Sequence, residues 1–193
     1  MKFQSATAVL LAAAASTTLA APTPAPAGLQ RRYAQELFPD YTSQYNVGTG
    51  AVTYDTGVGL ISKSPTNGGQ DTTTLVTFNI PSSWASYTTC RLVFSSAADS
   101  EVSGSGRADL FTSIAPATTS TTTWPQGNLR DTHIGRIIAT PGAEATWEQT
   151  FSGPDFPCSE IAGYKVGGEL VGVYDEDYIT WTAGVDGPKI VVV

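Results

Sequence analysis

The sequence predicts an all-β protein, an antiparallel, jelly-roll-like β-sandwich held by one disulfide. Three observations predict it. Short runs of alternating apolar and polar residues recur along the chain, the period of a half-buried strand. Clusters of Gly, Pro, Ser and Thr separate these runs at short intervals. Helical periodicity is hard to find, so nothing is available to carry the long crossovers of parallel strands, and the pairing is antiparallel.

The N-terminus comes first. Lys2 precedes an apolar run, Ala8 to Ala15, and small residues then lead to Ala20. This is the layout of a secretory signal peptide over residues 1–20, cleaved after Ala20. The run is too short for a membrane anchor, which needs roughly 20 apolar residues to cross ~30 Å of hydrocarbon. Residues 21–32 carry Pro22, Pro24 and Pro26 and end in Arg31-Arg32. Prolines deny the segment regular pairing, and the dibasic pair looks like a processing site for a Kex-type protease of the fungal secretory pathway. The mature chain then begins at Tyr33, with a lead-in over 33–56 and the sandwich domain over 57–193. The C-terminal PKIVVV is too short for a lipid-anchor signal. The expected location is extracellular, free or at the cell wall.

Expected strands fall at 47–54, 59–63, 74–80, 90–95, 108–114, 133–139, 145–151, 164–166, 170–174, 178–182 and 189–193, with the sandwich pairing from about Ala51 onward. In 74–80, Val76, Phe78 and Ile80 share one face; in 90–95, Cys90, Leu92 and Phe94 do. All but Cys90 of these are expected in the core. The candidate helical turns are 33–38 and 82–87.

The chain has 10 Lys and Arg against 17 Asp and Glu, a net charge of −7. Loss of Lys2, Arg31 and Arg32 with the N-terminal segments takes the charge to −10. Such a surface excludes nucleic acid, whose phosphates need Lys and Arg, and anionic membranes. Cys90 and Cys158 are the two cysteines. In a chain bound for an oxidising compartment an even pair reads as a disulfide. One histidine and no further cysteine leave too few ligands for a zinc site, and no cofactor is expected.

Chemistry is sparse. His133 has no G-x-S-x-G elbow to serve, so a structural place at a strand start is the expectation. Glu144, Glu148, Asp155 and Glu160 could supply a glycosidase pair, which sits roughly 5–9.5 Å apart, but sequence cannot pair them. No catalytic residue is assigned. Two loops are candidate ligand sites. The first is Trp124 with Pro125, Gln126, Gly127 and Asn128, where a flat ring could stack on a sugar. The second is Asp175-Glu176-Asp177, expected as an acidic hairpin turn and a conceivable calcium site, although its spacing is not that of an EF-hand. Trp147 and Trp181 lie in strand-like runs and are expected in the core. The Ala117 to Thr123 stretch reads as a polar loop, an edge strand or a substrate for O-mannosylation.

The order of motifs GLISK (59–63), TTLVTFNIP (73–81), TCRLVFS (89–95), GSGRADLFTS (104–113), TTTWPQGN (121–128), HIGRI (133–137), FPC (156–158) and VGVYDEDYITW (171–181) resembles the fungal family named for the ubiquitin 3 binding protein, But-type, C-terminal domain. The resemblance covers about residues 57–193. It implies a fungal, usually secreted or surface β-domain without assigned catalytic residues. The expected function is a non-catalytic binding module with cell-wall polysaccharide or a surface protein as partner. A β-sandwich carbohydrate hydrolase is the alternative. The ubiquitin-pathway binding in the family's name is a third reading, at odds with the export signals.

Overall fold

A computed structural model describes residues 33–193. The expected signal peptide, the Pro-rich segment and their cleavage positions at Ala20, Arg31 and Arg32 lie outside the described residues.

Among the described residues, fourteen strands form two antiparallel sheets. The smaller has the order β1 (Glu36–Leu37), β14 (Gly187–Val192), β6 (Thr89–Ser95), β11 (Asp155–Pro157). The larger runs β10 (Thr146–Thr150), β9 (Arg130–Ile138), β8 (Arg107–Ser113), β12 (Lys165–Gly172), β5 (Thr72–Asn79), β4 (Val58–Lys63), β13 (Asp177–Thr182), β7 (Val102–Gly104). It forks at β5. There β2 (Tyr41–Asn46), with β3 (Val52–Thr53) on its far side, takes most of the edge opposite β12, and β4 pairs only through Ser62 and Thr72. The Thr74 hydroxyl closes the fork: it accepts from the Leu60 N–H and donates to the Leu60 carbonyl, both at 2.8 Å. A side chain thus replaces a missing rung of the ladder, which lets a threonine sit fully buried.

Alternation explains the core. Val76, Phe78 and Ile80 enter the inter-sheet core, as do Phe94 and Cys90, while Leu92 is half-buried against it. The opposite face of β5 is also buried, because Leu75 joins Tyr45, Val52 and Ala117 in a second small cluster. The cover is the 114–129 loop. Thr77 Oγ1 donates to the Ala117 carbonyl at 3.1 Å, and Trp124 N–H donates to the Gly50 carbonyl at 2.8 Å. A third layer therefore lies on the large sheet.

Cys90 and Cys158 are disulfide-bonded with Cα atoms 5.0 Å apart and no exposed surface, as expected. The bond ties β6 to the start of a single helical turn, α1 (Cys158–Ile161). The 82–87 turn forms as a 3-10 segment, Ser82–Ser86, that buries Trp84. The helical turn expected at 33–38 does not form. Glu36 and Leu37 pair with Val191 and Ile190, because the open edge of β14 offers an unpaired ladder. The runs expected at 164–166 and 170–174 are one strand, continuous through Gly167 and Gly168.

Candidate functional site

The 114–129 loop is held at both flanks. Before Trp124, Ala51 bridges to Thr123 and Thr123 Oγ1 donates to the Gly50 carbonyl at 3.1 Å; after it, the Leu129 carbonyl accepts from the Ile114 N–H at 2.9 Å. Thr121, Gly127 and Asn128 are buried. Trp124 is 57% exposed and Gln126 is exposed beside it. The loop therefore presents an indole and an amide on a rigid base, while Asn128 faces inward and is unavailable. Trp84 and Trp181 are buried and Trp147 is half-buried against the core.

The acidic run divides. Asp175 and Glu176 are exposed, but Asp177 is 1% exposed. Its Oδ1 accepts from Ser105 Oγ at 2.7 Å and its Oδ2 from the Val173 N–H at 2.8 Å. These bonds make Asp177 a fastener between the β7–β8 turn and its own turn. Nor is the turn a hairpin, as its sequence suggested: β12 and β13 are not paired, since β5 and β4 stand between them in the sheet. Among the described residues no three His, Cys, Asp or Glu side chains converge as a metal site.

The four carboxylates considered for glycoside hydrolysis have separate partners or places. Glu144 accepts the Tyr33 hydroxyl at 2.8 Å and Glu148 pairs with Arg107 at 2.9 Å. Asp155 takes two bonds from Arg91, at 2.5 and 2.8 Å, and Glu160 is exposed on α1. The guanidinium bonds hold the Glu148 and Asp155 carboxyls below their ordinary values, the Arg hydrogen bond being the larger cause in each case. A general acid needs the opposite shift. We expect Asp155 to titrate below an ordinary aspartate by NMR, and Arg91→Met to move it back up. Because the folded value is depressed, whatever stability the pair contributes is present above the unfolded value of about 3.9 and is lost as the pH falls through the folded one. An unchanged Asp155 titration in Arg91→Met would show that the ion pair does not set it.

His133 lies inside β9, stacked on Phe111 with centroids 4.4 Å apart and tilted against Phe151 at 4.6 Å. Its Nε2 is 3.4 Å from Asp109 Oδ1, whose carboxylate is forked by Arg136 at 2.7 and 3.0 Å. The imidazole is thus packed between two phenyl rings. Further along the same sheet, Glu169 is buried and takes bonds from Arg130, at 2.5 and 2.9 Å, and from Thr73 Oγ1 at 2.6 Å. Neither network was legible in the sequence, because both join residues far apart in the chain.

Sequence reasoning also missed a cleft of about 600 Å³ between the two sheets. Its floor is apolar, with Phe78, Leu110, Leu170 and Ile190. Its walls are Leu92, Ile134, Phe156 and Val166, all inward-facing yet only half-buried. Thr112, Asp131, Thr132, Ser152, Glu160 and Lys165 stand at its mouth.

Comparison with curated proteins returns no match. The sequence profile of the family described as "Ubiquitin 3 binding protein But2 C-terminal domain" matches residues 56–186, a span that begins just before β4 and ends just before β14. That span covers more than half of the chain and holds the disulfide, the Trp124 loop, most of the larger sheet and β6 and β11 of the smaller, and the chain accordingly belongs to the family of the ubiquitin 3 binding protein But2 C-terminal domain.

Proposed function

We propose that the protein is an exported fungal domain that acts at the cell wall or cell surface by binding, not by catalysis. The observation that carries this reading is Trp124, whose exposed indole stands beside Gln126 on a loop clamped at both flanks. Aromatic rings presented on rigid loops stack on flat apolar surfaces at little entropic cost, and the apolar face of a pyranose is one. The buried disulfide supports export, since such bonds persist in oxidising compartments. Wall polysaccharide is the partner this surface fits best. The separate engagement of Glu144, Glu148 and Asp155 supports binding over hydrolysis.

The test is retention of the purified protein on insoluble chitin and β-glucan. Wild type should be retained, and Trp124→Ala should bind about tenfold more weakly, the scale of losing one aromatic anchor. Equal retention of both proteins would remove the Trp124 site. Release of soluble sugar by wild type, abolished by Glu160→Gln, would install the hydrolase reading instead. The family description favours a second reading, a ubiquitin-related partner. It takes over if the protein is found inside the cell and outside the secretory pathway.

A further inference from the structure

We propose that the cleft between the sheets is a binding site for a single-chain lipid with an uncharged polar head, of the long-chain alcohol or monoacylglycerol type. This site is separate from the Trp124 loop and stands or falls independently of it.

The cleft is within the range of small-molecule sites, about 300–1,000 Å³, and has their usual division into apolar interior and polar rim. Its apolar walls are the mark of a site and not of a packing fault. Leu92, Ile134, Phe156 and Val166 point between the sheets, where the fold buries its other apolar side chains, yet each remains half-buried. Gly168 contributes to the opening. On β12 it falls between Val166 and Leu170, opposite Val76, at an inward position where a side chain would fill the space. Its backbone φ is ordinary, so conformation does not require glycine there, and a Cβ would come 3.0 Å from the Phe111 carbonyl.

Geometry limits the occupant. Facing sheets stand about 10 Å apart, whereas a helix with its side chains is about 10–12 Å across. A folded partner or a helix cannot enter; an alkyl chain can. The walls are mostly aliphatic, with Phe78, Phe111 and Phe156 the aromatic lining residues, which suits a methylene chain better than a sugar.

The mouth selects the head. Thr112 and Thr132 donate their hydroxyls to Asp131, at 3.4 and 3.2 Å, which leaves their oxygens to accept from a head-group hydroxyl, and Ser152 adds a further hydroxyl. Asp155 is neutralised by Arg91 and the buried Glu169 by Arg130. That leaves Asp131 and Glu160 against Lys165, an excess of negative charge that repels a carboxylate. An uncharged head meets hydrogen-bonding groups without that repulsion.

The experiment uses the intact protein with its disulfide formed. Uncharged N-phenylnaphthylamine is titrated, and decanol, monodecanoylglycerol and decanoate then compete. Saturable fluorescence is expected, displaced by decanol and monodecanoylglycerol at concentrations several-fold below those needed for decanoate. Val166→Trp fills the cleft and should weaken the probe by about tenfold or more, while Trp124→Ala should bind it as wild type does. Should Val166→Trp fail to fold, NOEs in wild type between decanol methylenes and the methyls of Leu92, Ile134, Val166 and Ile190 provide the same localisation. No saturable binding, no such NOEs, or full probe affinity in a folded Val166→Trp would overturn the site. Preference for decanoate would overturn the assigned head group.

Discussion

Replacing Cys90 and Cys158 together by alanine should lower the unfolding free energy by about 4 kcal/mol. The bond spans a sequence separation of 68, and cross-linking a loop of that size removes much of the freedom of the unfolded chain. The native side adds to the effect. Both cysteines have no exposed surface and belong to the inter-sheet core, so alanines leave a gap where two sulfurs packed. The bond also anchors α1 and the end of β11, whose one strand partner among the described strands is β6, with the Arg91–Asp155 ion pair beside it. Local loosening should therefore begin there. Equilibrium urea unfolding of the oxidised protein and the double alanine variant measures the difference. Hydrogen exchange of the Phe156 and Cys158 amides locates it. A loss below about 1 kcal/mol would mean that the unfolded chain is already constrained near this pair.

The strands that were legible in the sequence are those whose core-facing residues are apolar at every second position. β6 is the clearest case. Cys90, Leu92 and Phe94 fall at every second position and all three meet the inter-sheet core, although Val93 on the other face is buried too. β2 was missed for the opposite reason. Its sequence, YTSQYN, has no apolar alternation, because Thr42 and Ser43 are buried as small packing groups. Ser43 Oγ accepts from the Asp55 N–H, a contact that no local pattern announces. Residues 33–38 were misread because their pairing depends on an edge strand some 150 residues later.

The site divides in the same way. Trp124 could be singled out from a local cue, a tryptophan beside Pro125 in a turn-rich stretch, and it is exposed. Asn128 shared that cue but turns inward, and Asp177 shared the acidic run but serves as an internal fastener. Local sequence marks a loop; it does not say which side chains the loop needs for itself. The cleft could not be read at all. It exists because half-buried Leu92, Ile134, Phe156 and Val166 come from four strands that meet only in the folded protein.

The largest effect of a single substitution should come from Trp181. Its indole is 2% exposed and meets Phe94 edge-on, with centroids 5.2 Å apart and planes at 82°. Two glycines make room for it. A Cβ at Gly59, its cross-strand partner, would lie 1.8 Å from the ring, and one at Gly187 would lie 2.1 Å from it. The ring thus fills a slot shaped by two missing side chains, one in each sheet, and couples β4 and β13 to the β14 end. Trp181→Ala should cost about 3–5 kcal/mol, since neither glycine can supply atoms to close the cavity. Trp181→Phe should cost clearly less. It keeps an aromatic ring against Phe94, and it discards a buried indole N–H that has no hydrogen-bond partner, which itself costs about 1–3 kcal/mol to bury. Gly59→Val should destabilise from the other side, by forcing the ring out of its slot. Urea unfolding of the three variants gives the order. If Trp181→Phe proved as damaging as Trp181→Ala, the indole N–H would have a role that its buried position does not reveal, and the slot argument would have to yield to it.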